Sequence, residues 1–185
     1  MKTKQLIISI LLITFLFSGI ESMAQRRVVS TPRKTVVQTP RGTVVYRKHP
    51  VVRPVRRLPR TAVVVHHNGN PLYFNSGVFY ASRNGAYIRA APPVGIRITV
   101  LPAGYVRVVV GPTPFFYFGG IFYVLTEHQE YVVVDPPVGA IVSKLPADAA
   151  EVEIDGKPYY EYNGTLYKSV MTKERSYEVV GKFDN

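Results

Sequence analysis

The stretch Phe115-Phe116-Tyr117-Phe118-Gly119-Gly120-Ile121-Phe122-Tyr123 decides how this chain folds. Aromatic residues favour β-strands, and here an aromatic segment lies on each side of a Gly-Gly pair. Glycine tolerates the positive φ angles that a two-residue hairpin turn requires. The stretch therefore predicts a tight antiparallel hairpin in which Phe116 lies opposite Tyr123.

The same aromatic cluster occurs twice more, once on each side of the first. The two further copies are residues 72–80 and residues 159–167, and their turn pairs are Ser-Gly and Asn-Gly. Asn-Gly is among the strongest short hairpin signals. The turn glycines Gly77, Gly120 and Gly164 are 43 and 44 residues apart. A constant period of this length indicates a repeated supersecondary unit.

Other sequence markers repeat with the same period. Pro-Pro-Val-Gly occurs at residues 92–95 and 136–139, and a Leu-Pro pair precedes each aromatic cluster, at residues 58, 101 and 145. No Pro-Pro-Val-Gly follows the last copy, so we expect that copy to be incomplete. The predicted repeat units span about residues 69–111, 112–156 and 157–185.

Each unit has the pattern of an antiparallel meander. Around the middle hairpin, residues 106–110, 115–118, 121–125 and 131–134 are rich in valine and aromatic residues. We therefore predict an all-β fold in which tandem meanders of about 43 residues pack as a small sandwich or open barrel. We expect this β-domain to occupy residues 61–185.

The predicted register divides each hairpin into two faces. One of them, called the tyrosine face below, carries the cross-strand pairs Tyr73 with Tyr80, Phe116 with Tyr123, and Tyr160 with Tyr167. The opposite face is more apolar in the first two copies, so we assign it to the core, although Glu161 lies on it in the third. We expect the tyrosine face to be partly exposed.

This face is the candidate binding face, because flat rings with a polar tip suit sugar rings or a protein partner. The alternative is that the same rings only stabilise strand pairs and pack between repeats. Both interpretations stay open at the level of the sequence.

The first 24 residues indicate an export signal. Lys2 and Lys4 precede an apolar run at residues 6–17, and Ser22-Met23-Ala24 places small residues at the −3 and −1 positions of a cleavage site. The run is shorter than the roughly 20 residues that span a bilayer, so we expect no transmembrane span after signal cleavage. We expect an exported protein that is periplasmic, associated with the outer membrane or extracellular.

Residues 25–60 form a basic, proline-rich segment. Prolines at positions 32, 40, 50, 54 and 59 do not suit a central strand, so we predict a disordered, extended arm. The segment has no Asp or Glu, and it carries much of the net charge of +11. Its candidate contacts to a polyanion are Arg26, Arg27, Arg33, Lys34, Arg41, Arg47, Lys48, Arg53, Arg56, Arg57 and Arg60.

The basic arm predicts attraction to an envelope polyanion such as lipid phosphate or an acidic polysaccharide. A solubilising linker with no specific partner explains the same composition. We expect no specific nucleic acid partner, because an exported chain seldom meets nucleic acid. From residue 61 onward, acidic and basic residues nearly balance.

Catalytic and cofactor-binding patterns are missing from the sequence. The chain has no cysteine, which excludes disulfides, thiolate metal sites and a cysteine nucleophile. Phosphate-loop, Gly-x-Ser-x-Gly and His-Glu-x-x-His patterns do not occur either. We therefore expect no enzyme, no cofactor and no metal site. The acidic strand at residues 151–155 suits a cation or a basic partner such as the chain's own arm, but it equally suits an ordinary half-buried strand.

The aromatic-glycine hairpins, together with Pro-Pro-Val-Gly and Leu-Pro, resemble a family of secreted bacterial proteins known as a domain of unknown function. The resemblance covers residues 58–185, and a basic segment likewise precedes the aromatic repeats in that family. It implies no catalytic residues. We expect a non-enzymatic secreted envelope protein, structural or adhesive, whose arm associates with polyanionic surface material. The alternative is a carbohydrate- or protein-binding module that uses the tyrosine face, and a secreted hydrolase ranks behind both.

Overall fold

The structure is a computed structural model that describes residues 27–31, 34–39, 42–47 and 53–182. All regular secondary structure in this part of the chain is β-strand, which confirms the predicted all-β fold. The strands, in chain order, are β1 Arg27–Thr31, β2 Lys34–Thr39, β3 Gly42–Tyr46, β4 Val63–His67, β5 Asn70–Asn75, β6 Val78–Arg83, β7 Ala86–Arg89, β8 Arg97–Ile98, β9 Val106–Val110, β10 Thr113–Phe118, β11 Ile121–Leu125, β12 Tyr131–Val134, β13 Ile141–Val142, β14 Ala150–Ile154, β15 Lys157–Tyr162, β16 Thr165–Met171 and β17 Arg175–Lys182.

The strands form three sheets whose described pairings are all antiparallel. Sheet 1 has the order β4-β5-β6-β7, and sheet 2 has the order β8-β12-β11-β10-β9. Sheet 3 has the order β1-β2-β3-β14-β15-β16-β17-β13. Each sheet contains one four-stranded meander built around one copy of the aromatic hairpin. Each meander begins one strand before the predicted unit, because β4, β9 and β14 precede residues 69, 112 and 157.

The hairpin register is the predicted one in all three copies. Phe116 lies opposite Tyr123, and the equivalent pairs are Tyr73 with Tyr80 and Tyr160 with Tyr167. Both residues of each turn have positive φ, for example 50° at Asn163 and 74° at Gly164. This is the backbone geometry that joins twisted antiparallel strands through two residues.

The third meander is complete, contrary to the expectation from its missing Pro-Pro-Val-Gly. The reason is that this marker lies before the sheet to which it belongs. The backbone N–H of Gly95 donates to the carbonyl of Val133 on β12, and that of Gly139 donates to Val179 on β17, each at 2.8 Å. The marker therefore binds to the last strand of the sheet that follows it in the chain, β12 in sheet 2 and β17 in sheet 3. A Pro-Pro-Val-Gly marker after the third copy is not required to complete sheet 3.

The hydrophobic core lies between the sheets. Leu72 and Phe79 of sheet 1 pack with Tyr123 and Val133 of sheet 2 in one buried cluster. A second cluster joins sheets 2 and 3, and its members include Tyr117, Phe122, Tyr167 and Val179. The face assigned to the core is thus confirmed as buried in sheets 1 and 2, and it packs on the tyrosine face of the following sheet.

This stacking corrects the prediction for the tyrosine face. Tyr123 and Tyr167 have 0% exposure, so the expected partial exposure is wrong for both. Phe116 and Tyr160 are only partly buried, but they pack against the same two inter-sheet clusters. A single hairpin does not reveal this burial, because it depends on how successive repeats stack.

The predicted disorder of the arm is wrong for β1, β2 and β3. These strands extend sheet 3 through β14, with Val44 opposite Ile154 and Tyr46 opposite Val152. The free edge of β14 offers unpaired backbone groups, and β3 satisfies them. Val44 is buried in a third cluster with Ala150 and Val152.

Some of the sequence-based expectations lie outside the described residues. They are the signal at residues 1–24, the residues Arg26, Arg33, Arg41 and Lys48, and the side chains of Arg27 and Lys34. Nowhere in the described ranges does a helix occur that is long and apolar enough to cross a membrane.

Candidate functional site

Sheet 1 carries three tyrosines on one face, one on each of three neighbouring strands. Tyr73 lies opposite Tyr80, and Tyr87 lies opposite Ser82, which shares the face of Tyr80. The rings of Tyr73 and Tyr87 meet edge to face, with centroids 4.9 Å apart and planes at 79°. All three side chains are partly exposed. We call Tyr73, Tyr80 and Tyr87 the outer tyrosine face.

The same edge-to-face pair recurs in the other sheets. Phe116 and Tyr131 have centroids 5.2 Å apart, and Tyr160 and Tyr177 have centroids 5.1 Å apart. In those sheets the pair belongs to a buried inter-sheet cluster, whereas none of the clusters formed by the described residues includes the outer tyrosine face. Sheet 1 thus presents to its surroundings the face that sheets 2 and 3 use for internal packing.

The hairpin turns show how consecutive sheets interlock. Phe118 and Tyr162 are the last residues of β10 and β15. The ring of Phe118 lies against the turn glycine Gly77 of sheet 1, and the ring of Tyr162 lies against the turn glycine Gly120 of sheet 2. The equivalent residue of sheet 1 is Asn75, whose side-chain oxygen accepts a hydrogen bond from the Thr61 hydroxyl at 3.1 Å.

Asn75 therefore marks sheet 1 as the first sheet of the stack. An aromatic ring at this position would need a preceding turn to pack on, and an amide does not. Terminal units of repeat proteins commonly replace apolar contacts by polar ones on their outer side. The first copy thus has Asn75 where the other two copies have an aromatic residue. A position-by-position comparison of the three copies would have revealed this difference from the sequence alone.

A basic segment lies along the edge of sheet 1. The N–H of Val55 donates to the carbonyl of Tyr87, and the N–H of Tyr87 donates to the carbonyl of Val55, both at 2.8 Å. This two-way pairing fixes the segment to the outer edge of β7. The exposed side chains that it carries there, called the basic edge below, are Arg53, Arg56, Arg57 and Arg60.

The other predicted polyanion contacts are placed differently. Arg47 pairs with Glu153 on β14, with its Nε 3.1 Å from the carboxylate oxygen Oε2. The interaction and the neighbouring charge of Glu151 raise the pKa of the Arg47 guanidinium. The acidic strand thus takes a basic residue of the chain's own arm as its partner. Arg27 and Lys34 lie on β1 and β2 of the same sheet.

Charge is unevenly distributed over the stack. Between residues 22 and 126 the sequence has no Asp or Glu, so neither the basic edge nor sheet 1 contains a carboxylate. All acidic residues of the folded part follow residue 126. The net charge of residues 61–185 is close to zero and does not reveal this separation. Counting charged residues separately for each repeat would have detected it.

A cavity of about 310 Å³ lies where the hairpin turns of the three sheets meet. Gly77, Phe118 and Tyr162 line it, together with Arg89, whose Nη1 is 3.1 Å from Oδ1 of Asp148. Burial raises the pKa of the Tyr162 hydroxyl, and the nearby Asp148 raises it further. Because Arg89 is already paired with Asp148, we interpret this cavity as a gap in the packing between repeats and not as a binding site.

The structure offers few groupings for metal or acid–base chemistry. Within the described ranges, no three His, Asp or Glu side chains lie together in a way that would hold a metal ion. His66 and His67 follow each other on β4 and therefore point to opposite faces. The largest upward pKa shifts belong to Tyr117, Tyr123 and Tyr167, and burial in the core is their main cause.

Comparison with known proteins agrees with these structural boundaries. A family model described as a family of unknown function, DUF6515, matches residues 43–182. The match begins within β3 and ends at the last residue of β17, so it spans all three meanders and the strand that extends sheet 3. No curated protein and no solved structure matches the chain. The chain therefore belongs to the family of unknown function DUF6515.

Proposed function

We propose that this protein is a non-enzymatic, exported envelope protein, structural or adhesive, that associates with polyanionic cell-surface material through the basic edge of sheet 1. The observation that carries the proposal is the two-way backbone pairing of Val55 with Tyr87. It anchors four exposed arginines to a folded sheet that has no carboxylate of its own.

Anchoring matters because binding orders the groups that take part in it. Arginines on a free tether lose more conformational freedom on binding than arginines held along a sheet edge. The planar guanidinium also pairs in bidentate fashion with carboxylate, sulfate or phosphate oxygens. The basic edge is therefore better suited to a polyanion than composition alone indicates.

The charges of the basic edge are available to a partner. The ion pairs within the described ranges involve Arg47, Arg89, Arg97 and Lys182. None of these pairs uses an arginine of the basic edge. An anionic ligand would thus bind there without first displacing an internal carboxylate.

A non-enzymatic role is supported by where the shifted pKa values fall. Catalytic acids and bases tend to be groups in clefts whose pKa values are shifted by burial and by specific charge partners. Here the pKa values that burial shifts most belong to core tyrosines in the inter-sheet clusters, and Tyr162, whose pKa is also raised, lies in a cavity whose arginine and carboxylate are already paired with each other. Export and the envelope location rest on the signal-like sequence at residues 1–24.

The test compares two variants of the mature chain, residues 25–185, that lose the same charge at different places. The first changes the basic edge, by Arg53→Gln, Arg56→Gln, Arg57→Gln and Arg60→Gln. The control changes exposed basic residues of sheet 3 and its loops, by Lys157→Gln, Lys168→Gln, Lys173→Gln and Arg175→Gln.

Binding to dextran sulfate is measured by titration calorimetry at low and high salt, with neutral dextran as the matched polymer. We expect the basic-edge variant to bind about tenfold or more weakly, because it loses several exposed charge contacts. We expect the control to retain most of the affinity. Equal losses in both variants, or no loss in the first, would contradict the proposal.

A further inference from the structure

We infer that the outer tyrosine face and the basic edge form one composite site for an acidic polysaccharide. The inference rests on the proposed function and specifies its ligand. Sugar rings lie on the tyrosine rings, and the anionic groups of the same polymer pair with the arginines.

Tyr87 belongs to both halves of this site. Its ring contacts the ring of Tyr73, and its backbone pairs with Val55 of the basic segment. Directly paired residues of antiparallel strands have side chains on the same face, so Val55, which is 38% exposed, extends the apolar surface beside Tyr87. The aromatic surface and the cationic edge are therefore continuous.

The outer tyrosine face has the properties of a sugar-binding platform. Its rings are partly exposed and combine an apolar surface with a polar hydroxyl, which suits the C–H and O–H groups of a pyranose. The edge-to-face contact between Tyr73 and Tyr87 restricts both rings before any ligand arrives. Tyrosine also loses little conformational entropy when it binds, because it has only two side-chain torsions.

The combination of rings and charges selects the class of ligand. A bare phosphate polymer would pair with the arginines but would leave the tyrosine rings unused. A neutral glycan would contact the rings but would leave the four arginines of the basic edge unpaired, since none of them takes part in the ion pairs of the described residues. A polysaccharide with uronate or sulfate groups uses both halves of the site.

A second copy of the chain fits this face less well. In sheets 2 and 3 the aromatic residue that docks onto a preceding turn is Phe118 or Tyr162, but sheet 1 has Asn75 there. Pairing two copies through sheet 1 would also bring the two basic edges close together, and the residues of sheet 1 itself supply no carboxylate to offset them, which costs electrostatic energy. At the opposite end of the stack, Val44 and Val152 are already buried in a cluster of sheet 3.

The test uses the mature chain and three polymers that separate rings from charge. Polygalacturonate supplies sugar rings and carboxylates, its fully methyl-esterified form supplies the same rings without charge, and polyphosphate supplies charge without rings. We expect the tightest binding to polygalacturonate. The double variant Tyr73→Ala/Tyr80→Ala should weaken polygalacturonate binding about tenfold and leave polyphosphate binding unchanged. Tyr105→Ala, which removes an exposed tyrosine outside the site, is the matched control.

The possible results separate this inference from the proposed function. If the tyrosine variant binds polygalacturonate like the wild type while the basic-edge variant does not, the composite site is wrong and the proposed function stands. If the basic-edge variant binds every polymer like the wild type, the proposed function itself fails.

Chemical footprinting tests the site in the unaltered protein and does not depend on variants that fold. Tetranitromethane nitrates accessible tyrosines, and bound polygalacturonate should protect Tyr73, Tyr80 and Tyr87 but not Tyr105. Protection of none of the three, or of all four equally, would overturn the inference. Protection that rises with protein concentration in the absence of polymer, together with dimers in the ultracentrifuge, would assign the face to a second copy instead.

Discussion

The ring of Tyr162 lies against Gly120, in the space that a Cβ atom on this glycine would occupy. Gly120 has a φ of 87°, and Pro146 lies 3.1 Å from the same Cβ position. The contact links sheet 3 to the hairpin turn of sheet 2. At the equivalent Gly164, no atom of the described residues lies within 4 Å of a Cβ placed on the glycine.

Gly120→Ala should therefore destabilise the protein more than Gly164→Ala. Both positions have positive φ, so alanine costs about 1 kcal/mol of backbone strain at each. At Gly120 the new methyl group also collides with Tyr162 and Pro146, and overpacking of this kind costs about 1–3 kcal/mol more. Urea denaturation of the two variants measures the difference. Equal losses of stability in the two variants would contradict the prediction, because they would mean that the Tyr162 ring shifts to accommodate the methyl group without loss of folding free energy.

The hydroxyl groups of Tyr123 and Tyr167 provide a second test. Both are buried and neither makes a hydrogen bond of normal geometry within the described residues, although the Thr165 side chain lies close to the Tyr167 hydroxyl. Tyr123→Phe and Tyr167→Phe should each leave stability unchanged or raise it by about 1 kcal/mol, because an unsatisfied buried group is removed. Tyr117→Phe is the control, since the Tyr117 hydroxyl donates to the carbonyl of Lys144 at 2.8 Å. Its loss should cost about 1 kcal/mol in the same denaturation experiment.

Stability should fall at alkaline pH. Burial raises the pKa of Tyr117, Tyr123 and Tyr167 well above the ordinary value of 10.0, which the unfolded chain retains. Their contribution is complete below pH 10 and declines above it, because the unfolded state then releases protons that the folded state keeps. Each tyrosine contributes a slope of about 1.4 kcal/mol per pH unit in that range.

Denaturation at pH values from about 8 to about 11 measures this slope. The double variant Tyr123→Phe/Tyr167→Phe should show a shallower decline, because two of the three buried phenols are gone. An equally steep decline in the variant would assign the pH dependence to other groups.

Local features of the fold were predictable from the sequence, because short-range chemistry determines them. The pairing of Phe116 with Tyr123 follows from a turn pair that tolerates positive φ, and the number of residues in the turn sets the register. The start of β10 at Thr113 was missed by two residues. Pro114 is tolerated in that strand because β10 pairs with β11 only from Phe116 onward, so the proline removes no donor from that pairing.

The exposure of the candidate site depends on contacts between distant residues, which periodicity does not encode. Tyr80, Tyr123 and Tyr167 occupy equivalent positions, yet only the last two lie beneath a preceding sheet. The pairing of β3 with β14 likewise joins segments about a hundred residues apart, so a short Thr-Val-Val run alone did not indicate a strand.

The pairing of β3 with β14 leads to a final prediction about the N-terminal segment. A chain that begins at residue 48 lacks β1, β2 and β3, so it loses Val44 from the third cluster, uncovers Val152 and leaves the edge of β14 unpaired. Burial of one valine side chain alone contributes about 1.5–3 kcal/mol, so the truncated protein should be less stable by at least that amount. The unpaired edge should also make it prone to aggregation.

Arg47→Gln is the matched control for this truncation. It removes the ion pair with Glu153 but keeps the strand, and an exposed ion pair is weakened by water and salt. We expect little change in stability from this substitution and a large loss from the truncation. Denaturation of each protein is compared with that of the chain of residues 25–185. Hydrogen exchange of the β14 amides should accelerate in the truncated protein alone. If the truncated protein and the Arg47→Gln variant prove equally stable, the pairing of β3 with β14 does not stabilise sheet 3 and the prediction is wrong.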